Sequence, residues 1–132
     1  MKIRDYDDSD FPQVVRLLKE CGVDPPYEPD EIKGLCLVAE DEAGICGCVY
    51  ALVGQSSKAY GDFLAIRSDL RGSRLYFRLL TTLEERLKEL GVKRYVFHVE
   101  KHNHAAFDQL YKYRQKYRIT MLNDMHYFMR TL

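Results

Sequence analysis

Long hydrophobic runs are missing from this 132-residue chain. None approaches the ~20 apolar residues of a membrane span, and the opening MKIRDYDD is too polar for the apolar centre of a signal peptide. A cytoplasmic location is the expectation. Cysteine is scarce and unevenly placed, at Cys21, Cys36, Cys46 and Cys48, which does not read as a disulfide framework, so reduced thiols are expected. Internal repeats, low-complexity tracts and a linker between domains are lacking as well. With 46% hydrophobic residues the chain can bury one core but hardly two, so residues 1–132 are expected to form a single domain. Net charge is also absent, since 20 basic residues face 20 acidic ones. The balance hides a split: residues 1–66 carry 6 basic and 13 acidic residues, residues 67–132 carry 14 and 7. An anionic partner for the second half follows as an expectation.

What the chain does contain is a regular succession of short elements. KIRDY alternates like a strand. Asp7, Asp8 and Ser9 then offer caps to a helix with Phe11, Val14, Val15, Leu18 and Cys21 at helical spacing, with Pro12 in its first turn and Gly22 at its stop. VDPPYEPDEIKG holds three of the four prolines and reads as an exposed connection, with room for one helical turn at Asp30 to Lys33 and a place in a substrate mouth. LCLVAED, ICGCVYALVG and KAYGDFLAI are rich in β-branched and aromatic residues, and DEAG has hairpin chemistry, so an antiparallel meander is predicted. From Ser73 the period changes: Leu75, Leu79, Leu80, Leu83, Leu87 and Leu90 mark one helical face, and Gly91 ends it. KRYVFHV reads as a buried strand, NHAAFDQLYKYR as a helix capped by Asn103, and KYRITML and MHYFMRTL as two closing strands. The predicted order is βα(α)βββαβαββ. It implies an α/β (α+β) fold with a mixed, mostly antiparallel sheet of about six to seven strands flanked by helices.

SDLRGSRLYFRLL, Ser68 to Leu80, passes from a polar turn straight into a leucine-rich helix. A strand feeding a helix aims the amides of the first helical turn at whatever lies beyond the strand end, a place suited to phosphate. Arg67, Arg71, Arg74 and Arg78 surround it with guanidinium groups, and Ser73 adds a hydroxyl. A solvated arginine face on an ordinary amphipathic helix accounts for the same residues.

FLAIRSDLRGSRLYFRLLTTLEERLKELGVKRYVFHVEKHNHAAFDQLY, residues 63–111, resembles the central part of the GNAT superfamily of N-acetyltransferases, and the flanking MKIRDYDDSDFPQVVRLL and EDEAGICGCVYALVG resemble its first strand and helix and its second hairpin. The resemblance implies an acyl-CoA co-substrate, most simply acetyl-CoA, entering where the fourth and fifth strands separate. In that family a Q/RxxGxG/A loop wraps the CoA pyrophosphate. Arg71, Gly72, Ser73, Arg74, Leu75 and Tyr76 correspond to it, with Arg74 and Tyr76 at the positions of the motif glycine and small residue. Leu64, Ala65, Ile66 and Arg67 precede them as cofactor-strand residues, with backbone N–H groups near Leu64 to Ile66 expected to polarise the acyl carbonyl. Asn103 and Ala106 match the start of the second signature, NxxAxxLY. Tyr111 is then the first candidate for the acid that protonates the departing thiolate, and Tyr113 the second.

The function implied is transfer of an acetyl or other acyl group to a primary amine of a small molecule or peptide by direct attack. Asp62 and Glu100 are the candidate bases, and each reads equally as an ordinary surface carboxylate. The alternative is a GNAT-fold binding or regulatory module that has lost CoA binding or acetyl transfer. His98, Glu100, His102 and His104, with Cys46 and Cys48 on one strand face, supply zinc-type ligands, but the one HxxxH spacing, His98 to His102, straddles a strand end and a loop, so no metal is expected. Tyrosines among the charges of LYKYRQKYRI read as an edge facing water, and no nucleic acid or membrane partner is expected. A homodimer through the β-rich face stays open.

Overall fold

Lys2 to Asp5 form the edge strand β1 (Lys2–Asp5), paired antiparallel to β2 (Leu35–Asp41) with Lys2 opposite Glu40 and Asp5 opposite Leu37. The computed structural model describes residues 1–32, 34–54, 57–98, 108, 110–116, 118–121 and 127–132. After β1 the chain turns into helix α1 (Phe11–Glu20) through a reciprocal cap: Ser9 N–H donates to the Asp7 carboxylate, and Asp7 N–H donates to that of Asp10 at 2.9 Å. Asp10 is buried because Arg4 reaches it with both Nη atoms, each at 2.8 Å, and extends to Glu40 at 3.1 Å. Pro12 stands in the first helical turn, and Gly22 leaves the helix at φ +72°.

β2 turns into β3 (Gly44–Val53) over a tight hairpin in which Ala43 N–H donates to Asp41 Oδ1 at 2.9 Å. The register slips between Ala39 and Glu40, so that Gly47 faces Ala39 while Ile45 faces Glu40 and Cys46 is the extra residue of a bulge. That slip corrects one expectation. Cys46 packs into the core on the α2 side of the sheet and Cys48 into the core on the α1 side, so the two thiols leave the strand on opposite faces and cannot share a ligand.

β4 (Lys58–Ile66) pairs antiparallel with β3, again with a slip: Tyr50 faces Phe63 and Ala51 faces Gly61, which leaves Asp62 as the bulged residue. On its other side β4 runs parallel to β5 (Arg94–His98), but only for Lys58 with Arg94, Ala59 with Tyr95 and Tyr60 with Val96. No further β4–β5 pair occurs among the described residues. β5 goes on pairing with β7 (Tyr127–Thr131), which pairs with β6 (Ile119–Met121), whereas Gly61 to Ile66 have no β5 partner among the described residues. The sheet order is β1-β2-β3-β4-β5-β7-β6.

Between β4 and helix α2 (Leu75–Glu89) lie a 3₁₀ turn over Ser68–Leu70 and a turn through Gly72, where the sequence suggested a direct junction with a helix from Ser73. Leu75, Leu79, Leu83 and Leu87 are buried against the sheet with Val49, Ile66, Val92 and Tyr95. Burying four leucines at ~2 kcal/mol each is what holds this helix down. Leu90, expected on the same face, lies past the helix end and is 60% exposed, because Gly91 at φ +81° reverses the chain and Val92 takes the buried place. The opposite face of the sheet packs on α1 through Val14, Leu17, Leu18, Val38, Cys48 and Phe63. Residues 108 and 110–112 are helical, with Leu110 buried.

Candidate functional site

The segment from Arg67 to Arg78 follows the end of β4 and leads into α2. Its chain direction is set by short-range bonds: Leu70 N–H donates to Arg67 C=O at 2.9 Å, Arg71 N–H to Ser68 C=O at 3.3 Å, and Ser73 N–H to Leu70 C=O at 3.1 Å. Gly72 takes φ +83°, a left-handed conformation that a side chain disfavours. The Ser73 hydroxyl donates to Leu70 C=O and accepts from Leu75 N–H at 3.3 Å, capping α2 from within the loop. The amides of Gly72 and Arg74 find no acceptor among the described residues. Two donors therefore stand open at the positive end of a fifteen-residue helix.

Four arginines were expected around this loop, and the structure divides them. Arg71, Arg74 and Arg78 are exposed and have no carboxylate partner among the described residues; the Arg71 guanidinium lies 3.6 Å from Cys21 Sγ. Arg67 is engaged instead. It forms ion pairs of 2.6 Å with both Asp41 and Asp69, and each of those carboxyls is held below its ordinary pKa chiefly by that guanidinium. Nothing in the spacing of the arginines distinguishes the bound one, since Asp41 lies on a distant hairpin.

Tyr76, at a position where the family motif has a small residue, turns its ring edge-on to Phe77 at 5.4 Å and packs against the α2-side core. Arg74 is exposed at the helix entry. Leu64 and Ile66 face the α2-side core, and Ala65 faces the α1-side core with Phe63, so β4 brings its end to the loop with both faces packed. Cys21, at the end of α1, donates from Sγ to Ile66 C=O at 3.4 Å and ties that helix to the same strand end.

Asp62 is exposed at the β4 bulge, the point just past the last β4–β5 pair. The proline-rich segment packs on the α1 face. There a 3₁₀ turn over Pro29–Glu31 is followed by Ile32 packed on that core, and Gly34 N–H donates to Tyr50 Oη at 3.1 Å. The Tyr50 ring lies 5.1 Å from that of Phe63, next to Asp62 in sequence. Tyr111 is on a helical turn and 47% exposed, with the Arg114 guanidinium 3.8 Å above its ring. Tyr113 is half-buried, with Lys112 Nζ 5.3 Å from its ring centre. Glu100 and Asn103 lie outside the described residues, as do His102 and His104. No group of three or more potential metal ligands occurs among the described residues, and no described helix is long and apolar enough to cross a membrane.

Burial raises the thiols on the α1 side: Cys36 is pushed up to about 12, and Cys48 is raised further by the same loss of water. These are packing cysteines. The bulges at Cys46 and Asp62 are the features that sequence reasoning missed, because a register slip is decided by the partner strand and leaves no local signature.

Solved structures share this fold. An N-acetyltransferase, PaiA, from Thermoplasma acidophilum, solved with coenzyme A, has a TM-score of 0.80 at 14% identity over 99% of this chain and 98% of its own. Diaminobutyrate acetyltransferase EctA from Paenibacillus lautus, solved with L-2,4-diaminobutyric acid and coenzyme A, gives 0.77 at 20% identity over 98% and 93%. The ribosomal-protein-S18-alanine N-acetyltransferase of Escherichia coli gives 0.76 at 16% identity over 98% and 89%. No curated protein matches the chain. These likenesses show the fold, and the acetyltransferase (GNAT) family model matches residues 3–114: the chain belongs to the GNAT acetyltransferase family.

Proposed function

We propose that this protein is an acyl-CoA-dependent N-acyltransferase, most simply an acetyltransferase, acting on a primary amine of a small molecule or peptide. One observation carries the reading. Past the end of β4, two amides and three guanidinium groups that have no acceptor or carboxylate partner among the described residues are gathered at one helix N-terminus. A pyrophosphate fits that donor set, with amides accepting close approach and arginines supplying charge. The coenzyme A held by the Thermoplasma and Paenibacillus proteins supports the same assignment. Tyr76 packs against the core, so its bulk at a small-residue position does not oppose it.

In the reaction proposed, the neutral amine attacks the thioester carbonyl, a C–N bond forms, and the C–S bond breaks to release CoA thiolate. An aliphatic ammonium group with a pKa of ~10.4 must first lose its proton, and Asp62, exposed at the bulge, is the described residue assigned to receive it, directly or through water. Backbone N–H groups near Leu64 to Ile66, a stretch of β4 paired on its β3 side only among the described residues, are assigned to the carbonyl oxygen, and Tyr111 to protonation of the thiolate, with the proton that the new amide nitrogen sheds restoring the tyrosine. The proline-rich segment over Phe63 forms one wall for the acceptor.

The test is release of free thiol from acetyl-CoA across a panel of diamines, amino acids and peptides with a free N-terminus. A responding amine is expected, with Tyr111→Phe slower by about 100-fold at saturating substrate. An unchanged Tyr111→Phe rate removes the acid assignment. Coenzyme binding without turnover of any amine would replace the enzyme with a CoA-binding regulatory module.

A further inference from the structure

We infer that Arg67 is a positioning residue for the coenzyme loop: it clamps the start of the loop to the β2–β3 hairpin and thereby sets where the open amides of Gly72 and Arg74 point. The inference rests on the coenzyme reading above.

One guanidinium makes four hydrogen bonds. Nη1 and Nη2 donate to Asp41 at 3.3 and 2.6 Å, and Nε and Nη2 donate to Asp69 at 2.6 and 3.1 Å. Asp41 is the last residue of β2 and is itself fixed by Ala43 N–H, while Asp69 lies inside the 3₁₀ turn. The fork geometry of arginine on two carboxylates restricts both partners in orientation as well as distance. The backbone carries the restraint onward. Arg67 N–H donates to Cys46 C=O at 2.8 Å, Leu70 N–H returns to Arg67 C=O, and Ser73 N–H bonds to Leu70 C=O. An unbroken series of bonds thus runs from the hairpin to Ser73, next to Gly72.

Charge separates this role from that of a phosphate ligand. Arg67 with two carboxylates is a cluster of net charge −1, which repels a pyrophosphate, whereas Arg71, Arg74 and Arg78 have no such compensation among the described residues. A direct ligand would have to give up both ion pairs to reach the anion.

The two roles predict opposite signs, and Asp41→Asn and Asp69→Asn read them out. Each removes a negative charge near the loop, so simple electrostatics makes coenzyme A bind more tightly. Each also loosens the clamp, so the positioning role makes it bind more weakly. Asparagine can still accept from Ala43 N–H, which preserves the hairpin turn. Calorimetric titration of the purified protein with coenzyme A is expected to show Kd raised about tenfold in either variant. Arg67→Lys, which keeps the charge and loses the fork, should weaken binding similarly. With a responding amine, the variants should raise KM for acetyl-CoA and leave kcat near that of the parent. Asp5→Asn, which removes the remote 2.9 Å partner of Arg86, is the control and should leave Kd unchanged. If Asp41→Asn does not fold, Asp69→Asn, at an exposed position, decides the matter. Parent protein that binds coenzyme A beside variants with equal or lower Kd would overturn the clamp alone. Parent protein that binds none would overturn the coenzyme reading and the clamp with it.

Discussion

Gly72→Ala separates backbone strain in the loop from every other contribution. Gly72 sits at φ +83°, and a Cβ built there would meet no atom within 4 Å. Steric overlap with neighbours therefore contributes nothing, and the cost is the left-handed backbone penalty of an L-residue, about 1 kcal/mol. Gly91 provides a matched comparison, at φ +81° with the same open surroundings but at the far end of α2. Both alanine variants should lose about 1 kcal/mol in chemical denaturation, a Tm decrease of about 4 °C for a chain of this size. Their coenzyme A affinities should diverge. Relief of strain at residue 72 rotates its own amide and that of Ser73, so Gly72→Ala raises Kd, whereas Gly91→Ala leaves it unchanged. A loss above about 3 kcal/mol in Gly72→Ala would mean that a contact was overlooked. Equal affinity in the two variants would refute the argument that this loop's backbone holds the ligand.

Two further predictions concern the scaffold. Asp10→Ala leaves Arg4 without its main partner inside the β1–α1 junction and should cost about 3 kcal/mol by denaturation. The Arg4 guanidinium holds the Asp10 carboxyl below its ordinary pKa, so its contribution is complete above the unfolded value of ~3.9 and is lost as pH falls through the folded one. Acid unfolding below pH ~4 should consequently be shallower in Asp10→Asn than in the parent; identical acid profiles would exclude this carboxyl as a source. In native protein an alkylating reagent should modify Cys21 first, because Cys36, Cys46 and Cys48 are buried, and all four should react in denaturant. Equal rates for all four in the native state would contradict the packing of β2 and β3.

Much of the scaffold was legible because local chemistry and long-range packing agree in it. The Leu75, Leu79, Leu83, Leu87 spacing lies on one face of α2, the Asp7 cap precedes α1, and the DEAG turn joins β2 to β3. The agreement fails where a partner strand decides. Cys46 and Cys48 are two residues apart and would share a face in a regular strand, yet the slip opposite Ala39 and Glu40 sends them to different cores. Leu90 continues the leucine period, but the helix stops one residue earlier and leaves it in water.

At the candidate site the sequence singles out the stretch from Arg67 to Arg78, and the contacts inside it needed coordinates. Arg67, Arg71, Arg74 and Arg78 are alike in composition, and only the fold brings Asp41 within 2.6 Å of the first. The 3₁₀ turn at Ser68–Leu70 and the φ of Gly72 decide which amides stay open, and neither follows from helical periodicity. Arg74 and Tyr76 stand at the positions of small motif residues, and the sequence does not say where their side chains go. With the Tyr76 ring turned into the α2-side core, the loop keeps its open donors.

The central claim is that the loop from Arg71 to Arg78 holds the pyrophosphate of coenzyme A. The most direct measurement is an amide-resolved nuclear magnetic resonance titration of the isotope-labelled protein with coenzyme A. Saturable shifts are expected, largest at Gly72 and Arg74 and abolished in Arg71→Ala/Arg74→Ala. Shifts centred instead on the shallow pocket of about 290 Å³ lined by Leu35, Leu52 and Leu90 at the other end of α2, or no saturable change at millimolar coenzyme, would contradict the account.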